Sequence, residues 1–367
     1  MLPKKGRTRA VAAVAVFTAA ALALSACSSS SSGSGGGSAA SGGSGGGIKS
    51  GLKIAFLPKD VDNAYFVTSD AQGGKVAVGE FGGTYSESGP KTSDASQDQT
   101  SYIETDTAQG ANAIVLSSSD PTKNCTDIAS AQAAGIKVVT YDSDTKPGCR
   151  NLFVNQATAD GIASAMLDSL VSAMGSTGEF AIVSSTATAT NQNTWNQDIT
   201  SDLTQSKYAG LKLDKIYFGN DDAATSAQVT QQALAAYPNL KGIISDSSVG
   251  LPAVAREIAT DGNKGKISVT GLSTPALMID YVTGKYAGTV KSFVLWNPQN
   301  LGYLAAYAAA ALASGEITGK QGDTFTAGKL GKFTVGADNT VLLGPPTTFT
   351  AANICQFCAA GSNTPPW

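Results

Sequence analysis

Polar and aromatic residues recur at one kind of place along the chain, just after short apolar runs. Lys53-Ile54-Ala55-Phe56-Leu57 is followed by Pro58-Lys59-Asp60, Ala113-Ile114-Val115-Leu116 leads to Ser119-Asp120-Pro121, and Lys137-Val138-Val139-Thr140-Tyr141 is followed by Asp142-Ser143-Asp144. Further along, Thr190-Asn191-Gln192-Asn193, Ser245-Asp246-Ser247-Ser248, Ser273-Thr274-Pro275 and Trp296-Asn297-Pro298 occupy the same kind of place, and Tyr65, Phe66, Trp195 and Trp296 accompany them. Carboxylates and amides can each serve more than one hydroxyl, and an aromatic face suits the C–H side of a ring, so the set fits a small sugar. Some members have plainer roles, because Asp or Ser after a strand also caps a helix. A cap is the expectation for Asp120, and a place in the site is the expectation for Asp142. Asp221-Asp222 lacks the rest of a calcium loop and is expected to be a turn.

The elements that would position these groups alternate. Near-continuous apolar runs, including Leu152-Phe153-Val154, are separated by stretches of helical period such as Asp98 to Ala108 and Asp127 to Ala134. A second series begins at Phe180-Ala181-Ile182-Val183 and continues through Leu213–Phe218, Gly242-Ile243-Ile244, Ile267–Thr270 and Val290–Leu295. That alternation predicts an α/β fold of two doubly wound parallel-sheet domains. In such sheets ligands bind outside the carboxyl ends of the strands, where the polar residues cluster. The Ala-rich segment Tyr303 to Leu312 is expected to be a buried helix.

Composition narrows the function. The 367 residues include no histidine, which removes the usual general base, the Ser-His-Asp and Cys-His constellations and the commonest transition-metal ligand. Glycosidase-type carboxylate pairs remain, but no enzyme, cofactor or metal is expected. A formal net charge of −3 gives no reason to expect nucleic acid as a partner.

Lys4, Lys5, Arg7 and Arg9 precede an apolar run from Ala10 to Leu24, then Leu24-Ser25-Ala26-Cys27. This is an export-signal pattern, and the run falls short of the roughly 20 residues of a membrane-spanning helix. The site resembles the bacterial lipobox, which implies lipidation of Cys27. Ser28 to Gly47 is almost all Ser, Gly and Ala and would form a flexible tether of roughly 25 Å reach. Cys125, Cys149, Cys355 and Cys358 remain; an even number in an exported chain reads as disulfides, and four allow three pairings. The close spacing of Cys355 and Cys358 favours their mutual pairing, which leaves Cys125 with Cys149.

On Phe56-Leu57-Pro58-Lys59-Asp60, Tyr141–Pro147 with Asn155-Gln156, Ala187–Asn193, Gly271–Pro275, Thr326–Gly331 and Val341–Gly344, the chain resembles the type I periplasmic-binding-protein-fold sugar receptors of ABC importers. It is closest to their rhamnose-binding and autoinducer-2-binding branch. The resemblance implies a three-segment hinge, with crossovers near Asn155, Trp296 and Thr318. It implies domains at 52–155 plus 297–318 and at 156–296 plus 319–358, after a signal peptide at 1–26 and a lipidated tether at 27–51, with a tail at 359–367. Lys59, Asp142 and Gln192 match the family's ligand-contacting Lys, Asp and Gln, and Phe66, Asn191, Trp195, Asp246, Ser248, Trp296 and Asn297 complete the expected site. The autoinducer-2 branch has Asp, Pro and Ala at Asn191, Asp246 and Ser248. Asn191 agrees with the rhamnose branch, Asp246 with neither, and Asn297 stands where both usually have Asp.

The expectation is a monomeric, lipid-anchored receptor on the outer membrane face that hands a rhamnose-like sugar to permease subunits. An autoinducer-2 or chemosensory binding module is the second expectation, and a carbohydrate-active enzyme the third.

Overall fold

The computed structural model describes residues 47–92 and 96–367. The expected signal peptide, Cys27 and almost all of the Ser/Gly tether lie outside the described residues.

Apolar runs buried on both faces form the first sheet: β1 (Lys53–Leu57), β3 (Ala113–Leu116) and β4 (Lys137–Tyr141) are buried almost throughout, as parallel strands covered on both sides must be. β2 (Thr84–Glu87) extends the sheet at one edge and β5 (Leu152–Asn155) toward the other. The final order is β13-β5-β4-β3-β1-β2, all parallel, where β13 is the late strand Thr340–Leu342. Helices follow the strands: α1 (Ala64–Phe66) runs through a π-helical stretch, Val67–Gly74, into α2 (Lys75–Glu80), and α3 (Ser96–Ala108) and α4 (Cys125–Ala133) come next.

After Asn155 the chain enters the second lobe through α5 (Ala159–Met174), whose N-cap Thr158 accepts from Gly161 N. The second sheet has the order β7-β6-β8-β9, from β6 (Gly178–Ser184), β7 (Leu211–Phe218), β8 (Leu240–Ser245) and β9 (Ser268–Gly271). Helices α6 (Thr190–Asp202), α7 (Ala223–Ala236), α8 (Gly250–Thr260) and α9 (Pro275–Val282) connect its strands. β10 (Ser292–Leu295) lies beside β9 through isolated parallel bridges. After Trp296 the chain returns to the first lobe as α10 (Pro298–Ser314), the expected Ala-rich helix, buried from Leu301 to Leu312. α10 packs against β3, β4 and β5 and against the π-helical stretch. That last contact is backbone-close, since a Cβ at Gly302 would sit 1.9 Å from Ser69 O.

Residues 319–358 do not all join the second lobe as expected. The hairpin of β11 (Thr324–Thr326) and β12 (Lys332–Thr334) leans on α10, with Lys329 N donating to Tyr303 Oη at 3.2 Å. β13 (Thr340–Leu342) then pairs in parallel with β5, Val341 opposite Val154. The third crossing therefore falls at Leu343-Gly344-Pro345-Pro346 rather than near Thr318, because β5 has an open edge that β13 fills. β14 (Thr347–Thr350) then reaches the second lobe, antiparallel to β10. Nor is 359–367 a loose tail: Trp367 is buried against Phe349 and Phe357, with ring centroids 6.3 and 5.0 Å away.

Cys125 at the start of α4 is bonded to Cys149 in the turn after β4, with Cα atoms 5.2 Å apart, and Cys355 is bonded to Cys358. No helix among the described residues is long and apolar enough to cross a membrane.

Candidate functional site

A cavity with about 380 Å³ of space free of protein atoms, its mouth included, lies where the strand ends of the two lobes face each other. From the first lobe, Lys59 leaves β1 and Asp142 leaves β4. Both are buried, with Lys59 Nζ 3.3 Å from Asp142 Oδ2. Ser117 Oγ donates to the same carboxylate at 2.8 Å. Asp142 adopts φ 60°, and Ser143 N bonds back to Tyr141 O at 2.6 Å across it. Such a three-residue turn with positive φ is rare and strained, and Asp is among the few side chains that tolerate the left-handed region. Strain of this kind clusters at functional sites.

From the second lobe, the first turn of α6 supplies Asn191 and Gln192. Asn191 Oδ1 lies 3.5 Å from Lys59 Nζ, and Gln192 Nε2 donates to Asp246 O at 3.4 Å. Asp246, just beyond β8, is 1% exposed and accepts from Ser184 Oγ at 3.0 Å. Burial pushes its carboxyl up to about 8. Ser248 and Asn63 exchange hydrogen bonds across the lobes at 3.4 Å, and Thr188 Oγ1 donates to Ser119 O at 3.2 Å. These contacts hold the two lobes together around the cavity.

The aromatic residues form an edge-to-face chain. Trp296 lies 6.0 Å from both Trp195 and Tyr65, and its Nε1 donates to Tyr65 Oη at 2.8 Å. Phe66 places its ring 5.9 Å from Lys59 Nζ, a distance at which cation and ring attract.

Nine expected site residues, Lys59, Phe66, Asp142, Asn191, Gln192, Trp195, Asp246, Ser248 and Trp296, line this one cavity. Asn297 does not: its side chain accepts from Asn300 N at 3.1 Å and caps α10. Asp120 is also outside the lining, accepting from Thr122 N and Lys123 N at 2.8 and 2.9 Å. Asn63, Tyr65, Leu272 and Leu295 join the lining, as does Asp221. The Asp221-Asp222 pair is a turn, but one that divides its labour. Asn220 and Asp221 both have positive φ, Asp221 accepts from Ser185 Oγ at 2.6 Å, and Asp222 caps α7 through Thr225 N. The signal for Asp221 was its position beyond the end of β7, the same rule that found Asp246 beyond β8.

A family model described as the periplasmic binding protein domain matches residues 54–317. A sugar ABC transporter structure from Actinomyces odontolyticus is 40% identical, covering 84% of this chain and 98% of its own, with a TM-score of 0.68. An ABC transporter solute binding protein from Clostridium phytofermentas, solved with L-rhamnose bound, is 32% identical over 84% of this chain and 98% of its own, with a TM-score of 0.80. LsrB from Clostridium saccharobutylicum, in complex with AI-2, is 25% identical over 84% of this chain and 100% of its own, with a TM-score of 0.77. The family and these neighbours are substrate-binding proteins, not enzymes, and periplasmic binding proteins of ABC importers are extracytoplasmic. With two parallel-sheet lobes closed on one polar, aromatic cavity, this chain belongs to the periplasmic binding protein domain family.

Proposed function

We propose that this protein is a lipid-anchored receptor that encloses a small sugar between its lobes and presents it to ABC permease subunits as a monomer. The observation that carries this reading is the opposition of Lys59 and Asp142 to Asn191, Gln192 and Asp246 around one cavity, with Trp195 and Trp296 alongside. A sugar offers hydroxyls to the first two sets and a C–H face to the third. Three chain crossings between the lobes give a hinge about which they can part for ligand entry. L-rhamnose is the first candidate, supported by the Clostridium phytofermentas relative and by Asn191. Autoinducer-2 is the second, supported by the LsrB neighbour; Asp246 and Ser248 depart from that branch.

Calorimetry against deoxyhexoses, pentoses, polyols and autoinducer-2 tests the reading. At a hundredfold excess over its dissociation constant the true ligand should stabilise the fold by about 2.7 kcal/mol. A full panel with no heat of binding and no shift in melting temperature would overturn it. Lipid anchoring rests on the Leu24-Ser25-Ala26-Cys27 motif. Cys27→Ser should release the protein from the membrane fraction, and unchanged membrane association would refute the anchor.

A further inference from the structure

Asp246 is a buried carboxyl whose hydrogen-bond directions are set by its neighbours. Asn196 Nδ2 donates to Ser184 Oγ at 3.0 Å, so the Ser184 hydroxyl turns its proton to Asp246 Oδ2, also at 3.0 Å. Oδ2 is thereby an acceptor. Oδ1 is buried and has no partner among the described residues, on a residue that lines the cavity. Among the described residues no cation offsets a charge here. Lys59, the one cation among the described residues that line the cavity, is bound to Asp142 of the other lobe, and the charged neighbour is Asp221, of like sign. A buried carboxyl without a counter-ion keeps its proton.

We propose that Asp246 works at neutral pH as an uncharged carboxylic acid, and that its Oδ1–H donates a hydrogen bond to an acceptor oxygen of the ligand. The adjoining Gln192 is its complement. Gln192 Nε2 is turned to Asp246 O, which leaves Gln192 Oε1, buried and without a partner among the described residues, as a pure acceptor. This wall thus offers one donor and one acceptor, matched to an oxygen of a hydroxyl, ring ether or carbonyl beside a ligand O–H. The opposite wall offers the charged Lys59–Asp142 pair. The titratable groups around the cavity are Lys59, Tyr65, Asp142 and Asp221. Asp221 opposes ionisation of Asp246, and Lys59 is engaged elsewhere. Burial, the largest influence, pushes the Asp246 carboxyl up to about 8 against the pull of the Ser184 and Asn196 donors, with the Asp221 charge adding to the rise.

The donor role rests on the proposal that this cavity holds the sugar; the uncharged state of Asp246 does not. The test therefore has two parts. In ligand-free protein, carbon-13 carboxyl NMR should show a resonance titrating near pH 8 that is missing from Asp246→Asn. The wild type should also lose stability relative to that variant as pH rises toward about 8, because a raised native pKa favours the folded state only while the proton stays on. With L-rhamnose as probe, Asp246→Asn, whose amide N–H takes the place of Oδ1–H, should bind within about threefold of wild type at pH 6.5. Wild-type affinity should fall about tenfold by pH 9, one unit above the midpoint, while the variant stays flat and Asp246→Ala is weak throughout. Titration of Asp246 in the ordinary carboxylate range would overturn the proposal. So would a loss greater than tenfold in Asp246→Asn at pH 6.5, which would mark the group as a charged acceptor. If no sugar binds the wild type, the receptor reading fails, and the NMR titration still decides the state of Asp246.

Discussion

Replacing Asp142 separates three effects that meet at one residue. Its carboxylate is the partner of buried Lys59 at 3.3 Å, the acceptor of Ser117 Oγ at 2.8 Å, and part of the cavity wall. Its backbone is held at φ 60°. Removing one member of a buried ion pair typically costs about 3–5 kcal/mol, and an Ala in the left-handed region adds about 1–2 kcal/mol. Asp142→Ala should therefore be the least stable variant, and Asp142→Gly should recover the backbone part, about 1 kcal/mol or more. Asp142→Asn keeps an acceptor for Ser117 and tolerates the turn, so it should be the mildest. Binding follows a different logic. Loss of a charged hydrogen-bond acceptor costs about 1.5–3 kcal/mol, so Asp142→Asn should weaken L-rhamnose binding by about ten- to a hundredfold at 1.4 kcal/mol per decade. Chemical denaturation gives the first set of numbers and calorimetry the second. The control is Asp120→Ala, whose carboxylate serves Thr122 N and Lys123 N outside the cavity; it should cost about 1 kcal/mol of stability and little affinity. If Asp142→Asn binds as tightly as wild type while Asp120→Ala does not, the site is misplaced. Equal stability of the Ala and Gly variants would refute the strained turn.

Free-thiol labelling of the native exported protein should find none of Cys125, Cys149, Cys355 or Cys358 reactive, and Cys125→Ser with Cys149→Ser should lose about 3 kcal/mol in the chain-entropy picture of a closed loop. Gly302→Ala should lower the melting temperature sharply, since its methyl would meet Ser69 O at 1.9 Å and overpacking costs about 1–3 kcal/mol; an unchanged melting curve would contradict the close contact of α10 with the π-helical stretch. Burial pushes the Asp106 carboxyl up from 3.8 to about 6, so its contribution to stability is full below about pH 4 and is lost as pH rises to about 6. Asp106→Asn should flatten the stability profile in that window, and identical profiles would refute the assignment.

The lining of the candidate cavity was legible where one topological rule sufficed. Asp142, Gln192 and Asp246 could be found because polar residues beyond parallel strands face the ligand side, and near-continuous runs such as Ala113–Leu116 mark those strands. The same rule misplaced Asn297, because an Asx residue there can equally turn to its own helix, and it does so at Asn300 N. It passed over Asp221, where the sequence shows two acids and only the backbone, left-handed at Asn220 and Asp221, aims one inward and leaves the other as a cap. β2 and β13 were illegible for another reason. Thr84–Glu87 and Thr340–Leu342 are short and have no long apolar run. What makes them strands is the free edge of β1 and of β5, which is information held elsewhere in the chain.

The late arrival of β13 bears on the order in which the protein can fold. As the chain emerges, β1 to β5 are complete long before Thr340 appears, so the β5 edge stands open while the whole second lobe is made. An unpaired edge strand is a template for mispairing with other chains, and contacts between distant segments such as Val154 and Val341 are slow to form. The first lobe therefore cannot finish as an independent N-terminal unit. It needs the far end of the polypeptide, and a chain arrested anywhere before Leu342 would hold a sticky, incomplete sheet rather than half a working protein.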